Sequence, residues 1–454
     1  VSLPVDALLV GLAERSAQTV IQHGDREVTG AELRSMIFRI ARGLNRGDVV
    51  AIMEANTPEV IAARFGAELA GCHPVLVYRK LSERAIGDLI AQAALVIDEP
   101  ELATLLAQAD DSPLAGRGAL GDLACTRLTS GSTGRAKGIL RRIAPLRPLP
   151  PGHPFAGGTQ LLCTPYGHSG GAIADLMLAN GGRLILQPDF DPHTVAEAIG
   201  RHRVTFLWLL PHQVYELADV AERYDLSSLR MLSYGGWRAA PHKLGEVARK
   251  LGPIVYHGYG ANEVDGIAAL SPADHLDERR TGTVGTLLPG IELDIRDAVD
   301  GVGRIWVRTA ALAEGYWNDP EATARAFVDG WLDTGDLGSL DEDGYLTIAG
   351  RSKEIIIVPG GHIYPRDVET VLLTHPAVTD AAVFGITDAD GGEAVHAAVV
   401  GTGDAGELAD WVAVRGGELS RPRTVLLLDE LPRATTGKPD VARLVELVRG
   451  QDQS

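Results

Sequence analysis

The segment LTSGSTGRAKG, residues 128–138, concentrates groups that bind phosphate. Thr129, Ser130, Ser132 and Thr133 bring hydroxyl donors, and Lys137 adds a point charge. Gly131, Gly134 and Gly138 let backbone N–H groups turn toward an anion. Ala136 precedes the lysine and Gly138 follows it, so the Gly-Lys-Ser/Thr ending of a Walker A loop is missing, and the segment does not read G-x-G-x-x-G. On composition alone it reads equally as a flexible surface loop. The rest of the chain must decide.

The elements around it have the texture of a doubly wound α/β protein. Short apolar runs end at Gly, Pro or a polar turn, with helical stretches between them: VVAIM, ALVIDEP, TQLLCTP, GRLILQP, VTFLWLL, MLSYGG and GPIVYHGYG. Such a pattern predicts parallel sheets with ligand loops at the carboxyl ends of the strands. Residues 5–22 and 31–45 are read as amphipathic helices around a polar turn at His23, Gly24 and Asp25. The proline-dense 142–154 is read as an extended surface loop, and after Gly282 the texture shifts to short strands and tight turns. From Lys353 the chain reads as a compact unit of about a hundred residues.

With 454 residues the chain exceeds what one core organises, and two to four domains are expected. The net charge of −18 argues against nucleic acid as the main partner. An anionic nucleotide would need local positive charge and a divalent metal. Cys72, Cys125 and Cys163 show no C-x-x-C spacing, which argues against a disulfide framework or zinc site and predicts a reducing cytoplasm. No stretch approaches the ~18 apolar residues of a membrane span, and the first residues lack the features of a signal peptide.

Five stretches, in this order, resemble the AMP-forming adenylating superfamily of acyl- and aryl-CoA synthetases, peptide-synthetase adenylation domains and luciferases: LTSGSTGRAKG, GYGANEVDG, GWLDTGDLG, IAGRSKEIIIVPGGHIYPRDVE and LPRATTGKPD. The resemblance extends over nearly the whole chain and is strongest to the acyl/aryl-CoA ligase branch. It implies an α/β fold: a large N-terminal domain (1–351) of two α/β subdomains and a small β-rich one, then a small mobile α+β domain (352–454). It also implies two half-reactions. A carboxylate attacks the α-phosphorus of MgATP, releasing pyrophosphate, and a second nucleophile then displaces AMP from the acyl-adenylate.

Roles carry over residue by residue as implications of that resemblance. The 128–138 segment would wrap the ATP phosphates with Lys137. Glu263 would help hold Mg²⁺ together with Thr129; read alone, it is also a glutamate suited to a helix N-terminus. Asn262 replaces the usual threonine before it and keeps an amide for a phosphate oxygen. Tyr259 would stack on adenine between Gly258 and Gly260, with His257 alongside, and Tyr234, Gly235 and Gly236 would form the second wall. Trp237 stands where alanine is common, and would enlarge the stacking surface, shorten the acid pocket or pack into the core. Asp336 would accept both ribose hydroxyls, Arg351 would grip ribose or phosphate, and Lys438 would bridge carboxylate and α-phosphate from the mobile domain. Lys353 marks the hinge, and rotation there would replace Lys438 by Gly360 and Gly361, lining a tunnel for the thiol.

His168 occupies a position where CoA ligases place an aromatic residue or histidine. It could gate the thiol path, donate to an oxyanion, or be a satisfied core histidine. The acid pocket is expected from Tyr166, His168, Trp208, Tyr234, Trp237, Ala261, Val264, Asp265 and Ile267. Its aromatics predict a small aromatic or short acid and argue against a long fatty acid. Asp265 would pair with an amino or hydroxyl substituent or cap a turn. Ala136 replaces the loop's usual proline. The acceptor implied is CoA, with the phosphopantetheine of a carrier protein acting in trans, or a non-thiol nucleophile, as alternatives. A homodimer is left open. A catalytically silent nucleotide-binding protein is the remaining class, and intact Lys137, Glu263, Asp336, Arg351 and Lys438 speak against it.

Overall fold

The computed structural model describes residues 3–79, 83–114, 116–129, 137–145, 149, 153–236, 239–358, 361–387, 393–434 and 438–451. Two sheets carry the α/β texture read from the sequence. One has three parallel strands, with Val49–Met53 between His73–Val77 and Leu95–Ile97. The other has nine strands, and its centre, from Arg183–Leu186 through Thr159–Leu162, Phe206–Leu209 and Met231–Gly235 to Val255–Ala261, is parallel throughout. The helix Pro58–Ala70 joins the two systems and is buried along its length. Thr57 caps it by accepting from Val60 N, and Pro58 takes the first-turn position where no N–H is missed.

The first helical expectation is corrected. Helix stops at Glu14, and Thr19–His23 and Arg26–Thr29 form a hairpin at one side of the nine-stranded sheet. Thr19–His23 runs parallel to Arg183–Leu186. Val20 and Ile21 are adjacent apolar residues that suit helix or strand equally, and pairing to a distant strand decides. The Arg15 guanidinium fixes the break by donating to the carbonyls of Gly181 and Gly182 at 2.8 and 2.9 Å. Thr29 and Glu32 then form a capping box that starts the helix Gly30–Arg42.

After Gly282 the chain forms an antiparallel sheet from Glu292–Val299, Val302–Arg308, Trp331–Leu340, Phe327–Val328 and Leu346–Arg351. The C-terminal portion, called the lid below, builds its own core. Strands Val378–Thr387, Glu393–Gly401 and Thr424–Leu428 lie against the helices Pro365–Leu373, Ala405–Gly416 and Val441–Gln451. Of the proline-dense segment, only residues 142–145, 149, 153 and 154 are described. No helix among the described residues is long and apolar enough to cross a membrane.

Candidate active site

A cleft of about 1570 Å³ opens at the carboxyl ends of the parallel strands and runs to the lid. Lys137, His168, Trp208, Gly236, His257, Gly258, Tyr259, Gly260, Ala261, Asn262, Glu263, Asp265, Arg351, Lys353 and Lys438 all line it. The phosphate-type segment enters from a small sheet, where Leu128 pairs with Gly138 and Thr129 with Lys137. Ser130, Gly131, Ser132, Thr133 and Gly134 fall outside the described residues, as do Trp237 and Gly360, and the Thr129 side chain is likewise not described.

Lys137 leads to Glu263 through a residue the sequence reading passed over. Its Nζ lies 4.4 Å from the centroid of the Tyr316 ring, and the Tyr316 hydroxyl donates to Glu263 Oε1 at 2.8 Å. Burial, then the Glu263 charge, pushes the Tyr316 phenol far up, so it remains a donor. Glu263 sits in the hairpin turn between Val255–Ala261 and Asp265–Leu270, not at a helix N-terminus. Gly260 makes that turn possible, since a Cβ there would lie 1.9 Å from the Asp265 carbonyl. A magnesium ion between phosphates takes few protein ligands and keeps water. The Glu263 carboxylate, lining the cleft with one oxygen held by Tyr316, fits that need. Among the described residues no group of three or more His, Cys, Asp or Glu gathers around a metal position.

Asp336 and Arg351 face each other in register across adjacent strands. Arg351 Nε donates to Asp336 Oδ1 at 3.1 Å, and the Tyr259 hydroxyl donates to Oδ2 at 2.7 Å. Thr334 and Gly335 form the adjoining wall, while Asp336 itself is buried just behind it.

His168 precedes the helix Ser169–Ala179 and stacks on Tyr78, with ring centroids 4.6 Å apart at 11°. Tyr78 is fixed by donating to the Gly167 carbonyl at 2.8 Å. Burial above all, then the positive charges of Lys438 and Arg127, pulls the His168 imidazole down to about 4. It is therefore neutral near pH 7. Trp208 spans the floor, since a Cβ on Gly170 would lie 3.9 Å from its Cε3 and one on Gly236 3.5 Å from its Cη2.

Four expected pocket residues do not line the cleft. Tyr166 belongs to the core, its hydroxyl bound to Asp175. Tyr234 alternates with the cleft-facing Ser233, so it points to the other face of its strand, stacked on His257 and bonded to His275 at 3.0 Å. Val264 and Ile267 are buried against the antiparallel sheet. Asp265 lines the rim but pairs with Arg141 at 3.3 Å. Gly235 lies behind the wall, where its Cβ would meet the Gly258 carbonyl at 2.4 Å, and Gly361 faces Leu419 instead of the cleft.

The largest feature missed in sequence is a buried ionic cluster under the phosphate-type segment. Arg127 Nη2 lies 2.8 Å from Asp175 Oδ2, Arg64 Nε 3.3 Å from the same oxygen, and Arg64 Nη1 2.8 Å from Glu68. Burial opposes the charge on Arg64, but Asp175 and Glu68 more than offset it and raise its pKa. The cluster ties the strand entering the segment to the helix that follows His168. Its signal was present: Arg64, Glu68 and Asp175 are charges flanked by apolar and small residues within their helices.

Residues 12–317 match the AMP-binding enzyme family, and residues 367–438 match the AMP-binding enzyme C-terminal domain. The chain is 32% identical to the medium/long-chain-fatty-acid–CoA ligase FadD8 of Mycobacterium tuberculosis, covering 95% of this chain and 88% of that protein. It is 33% identical to the indoleacetate–CoA ligase of Aromatoleum aromaticum, covering 94% and 95%. Among solved structures it is similar to the amide bond synthetase McbA from Marinactinospora thermotolerans, with a TM-score of 0.83 and 31% identity over 98% of this chain and 99% of that one. The chain belongs to the AMP-binding enzyme family.

Proposed function

We propose that this enzyme is an acid–CoA ligase that activates a carboxylic acid with MgATP as the acyl-adenylate and passes the acyl group to the thiol of CoA. The observation that carries this reading is the convergence on one cleft of Lys137, Tyr259, Glu263 and Arg351 from the body with Lys438 from the lid, beside a neutral His168. Similarity to acid–CoA ligases supports the choice of acceptor.

In the first half-reaction an oxygen of the carboxylate bonds to the α-phosphorus, and the bond to pyrophosphate breaks. Both reactants are anionic, so positioning and charge neutralisation supply the catalysis. Lys438 neutralises carboxylate and α-phosphate together, while Lys137 and the 128–138 segment hold the departing phosphates. Glu263, with Thr129, would hold the magnesium ion, whose bound charge screens the phosphates. Tyr259 carries adenine and Arg351 takes the ribose, with Asp336 behind the wall holding both side chains through their hydrogen bonds. In the second half-reaction the thiol loses its proton, its sulfur bonds to the acyl carbon, and AMP leaves. The lid turns at Lys353 between the two steps, within the boundaries 1–351 and 352–454. Trp208 as the pocket floor supports a small aromatic acid as substrate. Free, buried Cys72, Cys125 and Cys163 suit a reducing cytoplasm.

Similarity to an amide bond synthetase favours one second reading, in which an amine takes the acyl group. Pyrophosphate release screened over aryl, short-chain and amino acids, with CoA or an amine added, separates the two by product: thioester or amide. Lys438→Ala is expected to lower adenylate formation at least about a hundredfold, as for loss of a positioned charge at the reacting centre. Thiolysis of a supplied acyl-adenylate should survive it. Equal loss of both halves would refute the assignment of Lys438.

A further inference from the structure

A continuous path of contacts runs from the body to the turn that carries Lys438. The two ends of that turn are closed on each other: Ala434 N donates to the Lys438 carbonyl at 2.7 Å, and Asp440 N to that of Pro432 at 2.8 Å. Arg433 and Pro439 pair across an antiparallel bridge. At the base, Arg433 Nη2 lies 2.6 Å from Asp380 Oδ2. Asp380 stands on the strand Val378–Thr387, part of the lid core. Its neighbour Thr379 accepts a hydrogen bond through its carbonyl from Lys243 Nζ at 3.0 Å.

Lys243 belongs to the body. It lies on the helix Pro241–Leu251, with its ammonium 5.1 Å from the ring centroid of Tyr215. The Tyr215 oxygen accepts from Ala240 N at 2.7 Å, which fixes the ring against the start of that helix. Arg433 also faces the body, where its charge reaches His212 and Glu216 on the helix Pro211–Val220. Burial pushes the Asp380 carboxyl up, and Arg433 and Lys243 oppose this, so two cations from opposite sides of the seam hold one anion.

We propose that Lys243, Asp380 and Arg433 form a clamp that positions Lys438 for the first half-reaction. The inference rests on the acyl-adenylate reading above. None of the three residues lines the cleft, so they are positioning residues and touch neither nucleotide nor acid. Lys243 contributes only while the lid holds this orientation, because its partner Thr379 leaves when the lid turns. A contact made in one of two orientations shifts their populations by its differential strength. Losing it therefore disfavours the adenylate-forming lid without weakening the thiol-accepting one.

The test uses the full chain with spin labels at Arg201→Cys and Glu446→Cys, exposed positions on body and lid; the native cysteines are all buried. The distance distribution is measured for the labelled parent, Lys243→Met and Lys243→Arg. Lys243→Met is expected to cut the population of the parent's principal peak at least threefold, and Lys243→Arg to restore it. In unlabelled protein, single-turnover adenylate formation should fall about tenfold, with KM for ATP and acid within twofold and thiolysis of a supplied adenylate unchanged or faster. An unaltered distance distribution, or equal slowing of both half-reactions, would overturn the clamp. If the parent makes no adenylate from any acid, the ligase reading fails, and the distance distribution still decides the clamp.

Discussion

At the scale of single residues, the informative addition to the motif set is Tyr316, which ties Lys137 to Glu263. Removing only its hydroxyl should leave the cation–ring contact and loosen the carboxylate. A hydrogen bond to a charged group is worth about 1.5–3 kcal/mol, so Tyr316→Phe is expected to raise the Mg²⁺ concentration needed for half-maximal pyrophosphate release about tenfold. The KM for the acid should stay put. A magnesium titration at saturating ATP checks it, and an unshifted curve would detach Tyr316 from metal binding. The motif residues themselves were legible because they stand in stretches that resemble the adenylating superfamily's motifs: Lys137, Tyr259, Glu263 and Lys438 were named through that resemblance and line one cleft. Tyr316 was not, since a lone tyrosine carries no spacing signal; the pairing of Gly315–Tyr316 with Lys137–Leu140 brings it beside Lys137, and the Ala313 N–H bonded to the Glu263 carbonyl brings its segment to the carboxylate.

At the scale of elements, the helix that follows His168 is set by glycine. A Cβ on Gly171 would lie 1.7 Å from the Tyr166 carbonyl, so the first turn can approach that strand end only without a side chain. Gly11, in the helix Pro4–Glu14, meets nothing closer than an Arg15 nitrogen at 3.8 Å. Gly171→Ala is therefore expected to destabilise by about 1–3 kcal/mol through forced backbone movement. Gly11→Ala should stabilise by about 0.5–1 kcal/mol through helix propensity. Denaturant titrations of both variants check the opposed signs, and Gly171→Ala should also slow adenylate formation by displacing His168. Central parallel strands were readable because runs such as FLWL and RLIL are short, largely apolar and recur between turn residues and helical stretches. The hairpin at 19–29 was not, because its adjacent apolar residues suit helix or strand, and besides its own antiparallel partner it pairs with a strand more than 150 residues away. Pocket membership failed for the same kind of reason. Tyr234 and Ser233 are adjacent in sequence, and only sheet register tells which faces the cleft.

At the scale of the whole molecule, buried and half-buried imidazoles set the response to acid. Burial holds His73 and His168 down to about 4 and His257 to about 3, and all three belong to the body. In the unfolded chain each returns to about 6.5. Between pH 6.5 and 4 the unfolded state therefore binds protons that the folded state refuses, so unfolding free energy falls as pH falls through that window. His212 and His275, also lowered chiefly by burial, act in the same direction. Glu68, Glu216 and Asp380 act oppositely, since burial raises their carboxyls above the unfolded values and makes the folded state the better proton acceptor. The histidines outnumber them, and the net sign is loss. Moving from pH 7.5 to 5.0 is expected to remove about 4–6 kcal/mol through His73, His168 and His257 together. Urea unfolding followed at pH 7.5, 6.0 and 5.0 checks this, with a steady decline in midpoint expected. The same neutrality extends to catalysis: adenylate formation should show no ionisation of His168 between pH 6 and 8, because Lys438 and Arg127 add to burial in resisting the imidazolium. A rate limb near 6.5 that disappears in His168→Gln would show that the imidazole titrates in the working enzyme, with solvent reaching the ring that the structure stacks on Tyr78.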